Sequence, residues 1–185
     1  DVVDVSLGAD MTAMNEAKEW IEAKEKGEKK TTSCCPAFKN YIEKHFPTLK
    51  DAISETVSPM CAASRYIKEK FPGAVTVFIG PCIAKKAESM SGEKDTADYA
   101  LTYGEIRAML RAKGVKLEPE EDTDDQGSIY GKKFANAGGV TAAVLESMKE
   151  LGCTGDVSVC KCSGITECKK ALTLMKVGRL PEDFI

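Results

Sequence analysis

The run Thr32-Ser33-Cys34-Cys35-Pro36-Ala37-Phe38 leaves the backbone little choice. Pro36 fixes its own φ, pushes Cys35 toward extended geometry, and suits the first position of a helix, where its missing N–H would have no partner anyway. Cys35 is therefore predicted at a helix N-cap. Phe38, Tyr41, Ile42 and Leu49 then recur at helical spacing, docking one face and leaving Lys39, Glu43 and Lys44 in water. Backbone N–H dipoles at the helix start would lie beside both thiols. That setting is expected to lower a cysteine pKa and favour thiolate, the form that binds metal or carries protons.

An answering loop follows the apolar run Val75-Thr76-Val77-Phe78-Ile79, which has the length of a strand buried on both faces. Pro81 cannot donate to a ladder, so the strand ends there and Cys82 falls just past its C-terminal end, where open α/β sheets bind ligands. Lys85 and Glu88 are three apart and can pair; alternatively, Lys85 points its ammonium at an anion in the same crevice.

Elsewhere the pattern is helix-rich. Val2-Val3-Asp4-Val5 reads as a short strand, and Asp10 as the cap of a helix from Met11 to about Lys26 with Met11, Met14, Ala17 and Ile21 inward. Glu16 and Glu19 lie on another arc, which periodicity alone reads as a solvated acidic face. Ser58-Pro59 opens a helix through Tyr66, Ile67 and Lys70, with Cys61 as a small core residue and Ser54 as a cap or turn hydroxyl. Residues 97–101 form a plausible strand, and Thr102-Tyr103-Gly104-Glu105 has capping-box spacing ahead of Ile106, Met109 and Leu110. Residues 118–127 are an acidic loop that fails as an EF-hand, because Lys133 stands where a coordinating glutamate belongs. After Phe134, Gly138-Gly139 leads into a helix through Val144, Leu145 and Met148; the double glycine admits either a ligand or a closely packed neighbour. Residues 157–162 read as a strand on which Cys160 and Cys162 face the same way, followed by a helix carrying Cys168. With Cys153 nearby, a separate zinc or iron-sulfur site is conceivable, but the spacing fits none of the usual paired patterns. Pro181 starts a last turn.

The fold class expected is α/β, with mostly parallel sheets flanked by helices. A net charge of -3 with both signs dispersed argues against a nucleic-acid or membrane-surface role, and no apolar run is long enough to span a bilayer. Eight cysteines, two of them adjacent, suit metal or redox work in a reducing compartment such as the cytoplasm better than a secreted disulfide framework.

Thr32-Ser33-Cys34-Cys35-Pro36, followed after a strand by Pro81-Cys82-x-x-Lys85-Lys86-x-Glu88, resembles the first two active-site motifs of the FeFe (iron-only) hydrogenases. The resemblance implies part of a two-lobed catalytic domain over residues 1–185, without the amino-terminal ferredoxin-like modules. It also implies reversible reduction of protons to H2 with a ferredoxin-like electron carrier, and loading by hydrogenase maturation proteins. The implied cofactor, the H-cluster, is a 4Fe-4S cubane joined through a cysteine sulfur to a diiron subcluster. Cys35 and Cys82 match two of its four cysteine ligands. The other two belong to a motif that normally follows a segment like Leu180-Pro181-Glu182-Asp183-Phe184-Ile185, so these residues alone are expected to lack the complete cofactor and to be inactive. Cys34 matches the thiol that passes protons to the bridging amine, and Lys85 matches the lysine that holds an iron-bound cyanide. Glu16, Glu19 and Ser54 would complete the proton path, against the solvated-face and turn readings. Ser58, Pro59, Pro81 and Phe134 would line the pocket. Three positions depart from the pattern: Gly80 replaces a methionine, Phe38 a tryptophan, and Ala23 an arginine at the outer end of the proton path. The rival readings are a hydrogenase-like iron-sulfur protein of assembly or sensing, whose members tend to lack the Cys34 thiol, and a redox switch through a vicinal Cys34–Cys35 disulfide.

Overall fold

Helix α1 (Ser6–Lys26) forms the spine of the computed structural model, which describes residues 1–32, 34–118 and 126–185. Its buried stripe is Ala9, Thr12, Ala13, Glu16, Ala17, Trp20 and Ala23, a helical repeat of mostly small side chains. Small residues let α3 (Pro59–Lys70) and α7 (Gly139–Glu150) pack on it closely, with α6 (Ile129–Lys133) against it as well. Three expectations fail here. Residues 2–5 are not a strand; the Asp4 amide donates to the Gln126 side chain at 3.2 Å, and the Asp4 carboxylate accepts from the Ser6 amide at 2.9 Å as the helix begins. Asp10 is inside α1 rather than at its cap, and its carboxylate accepts from the Ser128 amide (2.7 Å) and hydroxyl (2.6 Å) ahead of α6. The buried arc is rotated from the one expected, leaving Met11, Met14 and Ile21 on its half-buried margins and Glu16 at its centre.

Helix α2 (Pro36–His45) starts at Pro36 and runs through a 3-10 turn, Pro47–Ala52, which carries Leu49 beyond the helix. Strand β1 (Val77–Gly80), helix α4 (Ala84–Ser89) and strand β2 (Tyr99–Thr102) make a parallel pair with a helical crossover, in register from Val77 against Tyr99 to Gly80 against Thr102. Helix α5 (Tyr103–Ala112) follows directly, and both halves of its predicted capping box form. Strand β1 is not buried on both faces: Val77 and Ile79 are about half exposed and only Gly80 is buried, since the sheet has two strands and one face remains open.

A second set of pairings is thinner. Single parallel bridges join Thr31 to Ile53, Lys30 to Phe184, and Phe184 to Val159, so four chain segments lie side by side with little continuous ladder. The strand expected over residues 157–162 is reduced to that bridge. Extended alternation sends Phe184 into one core with Trp20, Phe134, Val144 and Met148, and Ile185 into another with Ile42, Leu172, Met175 and Leu180. The latter four include three residues that face α2 from helix α8 (Ile165–Lys176) and its exit. Residues 119–125, most of the acidic loop, lie outside the described residues.

Candidate functional site

Cys35 takes the N-cap of α2 in extended geometry (φ -101°, ψ 108°), with Pro36 at the first helical position and the Lys39 amide donating to the Cys35 carbonyl at 3.0 Å. Extended neighbours point apart. Accordingly, Cys34 packs against the Trp20 core, whereas Cys35 is exposed. The thiolate expectation is overturned for Cys34. Burial pushes its thiol well above the ordinary cysteine range; the Glu16 and Cys35 charges add to the rise, and only Lys85 and a backbone hydrogen bond oppose it. A helix start in an apolar surround does not compensate for lost hydration.

Cys82 lies exposed just past β1, and Pro81 beside it is exposed too. Helix α4 begins two residues later and packs against α2, so the loops that carry Cys35 and Cys82 belong to neighbouring elements. Lys85 reaches back toward Cys34 electrostatically while pairing with Glu88 at 2.7 Å, both side chains being mostly covered. Of the two readings open for Lys85, the ion pair is formed. Gly80 leaves no void: a Cβ there would stand 2.6 Å from the Phe78 ring, which folds over the strand end in the space a larger residue would take.

Glu16 is fully buried, against the solvated-face reading, and its charge bears on Cys34. One turn on, Glu19 accepts from the Thr56 hydroxyl at 2.8 Å and the Glu55 amide at 3.1 Å. The Thr56 amide donates to the Ser54 hydroxyl at 3.2 Å, and Ser54 is itself buried. Thr56 was missed in the sequence, where only its place two residues from Ser54 hinted at it. At the outer end, Glu19 lines a polar groove of about 290 Å³ with Glu22, Lys26, Glu28, Lys30 and Glu55, floored by the buried Ala23. Phe38 is half-buried against the second core.

The remaining candidates have structural partners of their own. Ser58 caps α3, accepting from the Cys61 amide at 3.4 Å, and Pro59 is its first residue. Phe134 is buried in the core that Cys34 touches rather than facing an opening. The double glycine serves packing: a Cβ at Gly139 would meet the Lys133 carbonyl oxygen at 2.0 Å, and Gly138 takes φ 74°. Cys61 is a core residue. Among the described residues, no three His, Cys, Asp or Glu side chains form a metal-binding group, and no helix is long and apolar enough to cross a membrane.

Over residues 1–185 the chain matches the family described as iron only hydrogenase large subunit, C-terminal domain. It is a member of that family. Iron hydrogenase 1 of Clostridium pasteurianum is 31% identical over 80% of this chain and 29% of its own length. The periplasmic [Fe] hydrogenase large subunit of Nitratidesulfovibrio vulgaris is 32% identical over 78% of this chain and 38% of its own. A cytosolic Fe-S cluster assembly factor of Meyerozyma guilliermondii is 31% identical over 59% of this chain and 24% of its own. The chain thus spans from 24% to 38% of the length of these relatives. Its α/β fold is that of the FeFe-hydrogenases: the HydA(deltaEFG) structure superposes with TM-score 0.74 at 23% identity, covering all of this chain and 66% of that one. The apo HydA1 of Chlamydomonas reinhardtii gives 0.71 at the same identity and coverage. Iron-only hydrogenase domains therefore share the frame in which Cys34, Cys35, Cys82 and Lys85 are set.

Proposed function

We propose that this chain is the portion of an iron-only hydrogenase domain that supplies two cysteine ligands and the inner proton path of an H-cluster site. The observation that carries the reading is that Glu16 and Lys85 both lie within electrostatic reach of Cys34, while α2, capped by Cys35, packs against α4, which follows Cys82. The donor chemistry fits in part: two exposed thiols suit iron, but a cubane needs four cysteine donors, and no group of three His, Cys, Asp or Glu side chains able to hold a metal forms among the described residues. Cys35 and Cys82 would hold the cubane. When bound, the iron cluster supplies the redox chemistry of interconverting protons and H2, with electrons from a ferredoxin-like carrier.

This chain's own residues manage position, protons and water. Burial keeps Cys34 protonated at neutral pH, so it holds a transferable proton rather than a standing negative charge. Its proton is replaced from Glu16, and Glu19 collects protons at the polar groove, with Ser54 and Thr56 fixing the backbone between. Lys85, oriented by Glu88, presents an ammonium to anionic ligands in the crevice. Residues 1–185 alone supply two of four cluster ligands and would be inactive without the rest of the domain and its maturation partners.

The assembly-type reading is favoured by the match to the Fe-S cluster assembly factor. Cys34 discriminates between the two. In the full-length protein matured anaerobically, Cys34→Ala should retain iron while H2 evolution falls roughly a hundredfold or more, the scale of losing a positioned proton donor. Undiminished turnover with full iron content would remove Cys34 from the proton path.

A further inference from the structure

Five cysteines take no part in that reading, and two of them lie sulfur to sulfur. Cys160 and Cys162 approach to 3.9 Å, and the Cys162 sulfur also lies 3.7 Å from the Cys160 carbonyl oxygen. The backbone of Cys160 is anchored by its amide donating to the Phe184 carbonyl at 2.9 Å, and Cys162 follows in the segment that leads into α8. Cys168, in the first turn of α8, interacts with Cys162 and lies within electrostatic reach of Cys35. All three thiols are half-exposed, and Lys161, Lys169 and Lys170 beside them are exposed. The trio does not form a metal-binding group.

We propose that Cys160 and Cys162 are a redox-active dithiol, distinct from Cys34 and Cys35, that exchanges with anionic low-molecular-weight disulfides of the glutathione class. The proposal does not rest on the hydrogenase reading. To bond, the two sulfurs must close from 3.9 Å to about 2 Å, a local adjustment within three consecutive residues. Burial, and after it the neighbouring Cys160 charge, push the Cys162 thiol up to about 12, which leaves the first attack to Cys160. The Cys160 thiolate attacks one sulfur of the external disulfide, forming a mixed disulfide and expelling one small thiolate, which takes up the proton Cys160 gave up. Cys162 then gives up its proton and attacks the Cys160 sulfur, closing the protein disulfide and releasing the second small thiol. Two protein thiols are oxidised, one external disulfide is reduced to two thiols, and no other oxidant is needed. The flanking lysines attract the carboxylates of the incoming disulfide.

The test is treatment of the purified chain with oxidised glutathione, followed by alkylation and tryptic mass mapping. Two fewer of the eight cysteines should be alkylated. The peptides that trypsin separates at Lys161 should stay joined until a reductant is added, and Cys160→Ser should abolish the joined pair. Lone glutathione adducts, a bridge to Cys168 or Cys35 in place of Cys160, or no loss of alkylation would each overturn the proposal. Adding zinc before glutathione supplies a further arm: protection of Cys160, Cys162 and Cys168 by one equivalent of zinc would make the trio a metal site and overturn it too.

Discussion

Glu16 shows how one position can reverse the meaning of a helix face. A carboxylate between alanines at helical spacing reads as solvated, yet here it is sealed under α3 and α7 with its charge opposed to a Cys34 thiolate. Replacing it with the neutral Glu16→Gln removes that repulsion. The Cys34 pKa should fall, because the anion loses a like-charged neighbour, yet stay above the ordinary thiol value, because burial is the larger cause. The pH dependence of thiolate absorbance or alkylation rate at Cys34 checks this; an unchanged or raised midpoint would mean that Glu16 does not bear on the thiol. Cys35 was legible from Pro36 alone, since proline geometry is local. Cys34 was not, since desolvation depends on Trp20 and Phe184, which arrive from opposite ends of the chain.

Among elements, the join between α3 and the parallel pair rests on Asp98. Its carboxylate accepts from the Thr76 amide (2.7 Å), the Thr76 hydroxyl (3.0 Å) and Lys68 (2.9 Å), which hold it down to about 2. A folded pKa below the unfolded one stabilises the native state above the unfolded value, and the gain is lost as acid protonates the folded carboxylate. Stability should therefore be level at neutral pH and fall between about pH 4 and pH 2. Asp98→Asn should flatten that fall and cost about 1 kcal/mol at neutral pH, kept small because water screens the partly exposed pair. Chemical denaturation across that pH range is the measurement, and an equally steep acid limb in the variant would assign the loss elsewhere. The capping box of α5 was plain in four residues, but the exposure of β1 was not. Val77 and Ile79 have the composition of a doubly covered strand, and only the number of neighbouring strands and helices sets how much is covered.

For the whole molecule, the C-terminal residues join parts that are distant in sequence. Phe184 bridges Lys30 on one side and Val159 on the other, and its ring stacks on Trp20 with centroids 4.3 Å apart and planes 8° from parallel, both residues fully buried. Phe184→Ala should cost about 3–5 kcal/mol, the range for deleting a buried aromatic, and should loosen Cys34 along with the core it packs on. A small loss in thermal unfolding, with Cys34 no more reactive, would show the stack to be dispensable. Sequence by itself determined the features that depend on neighbours a few residues apart: the Cys35 N-cap, the end of β1 at Gly80 ahead of Cys82, the α5 cap, the common facing of Cys160 and Cys162, and, through two short motifs, the family. Tertiary structure decided that Glu16 is buried, that Cys34 is protonated rather than ionised, that Lys85 is paired with Glu88, and that Phe184 closes the core. Backbone geometry follows from local sterics, whereas solvation and charge pairing are set by surfaces that meet only after the chain has folded.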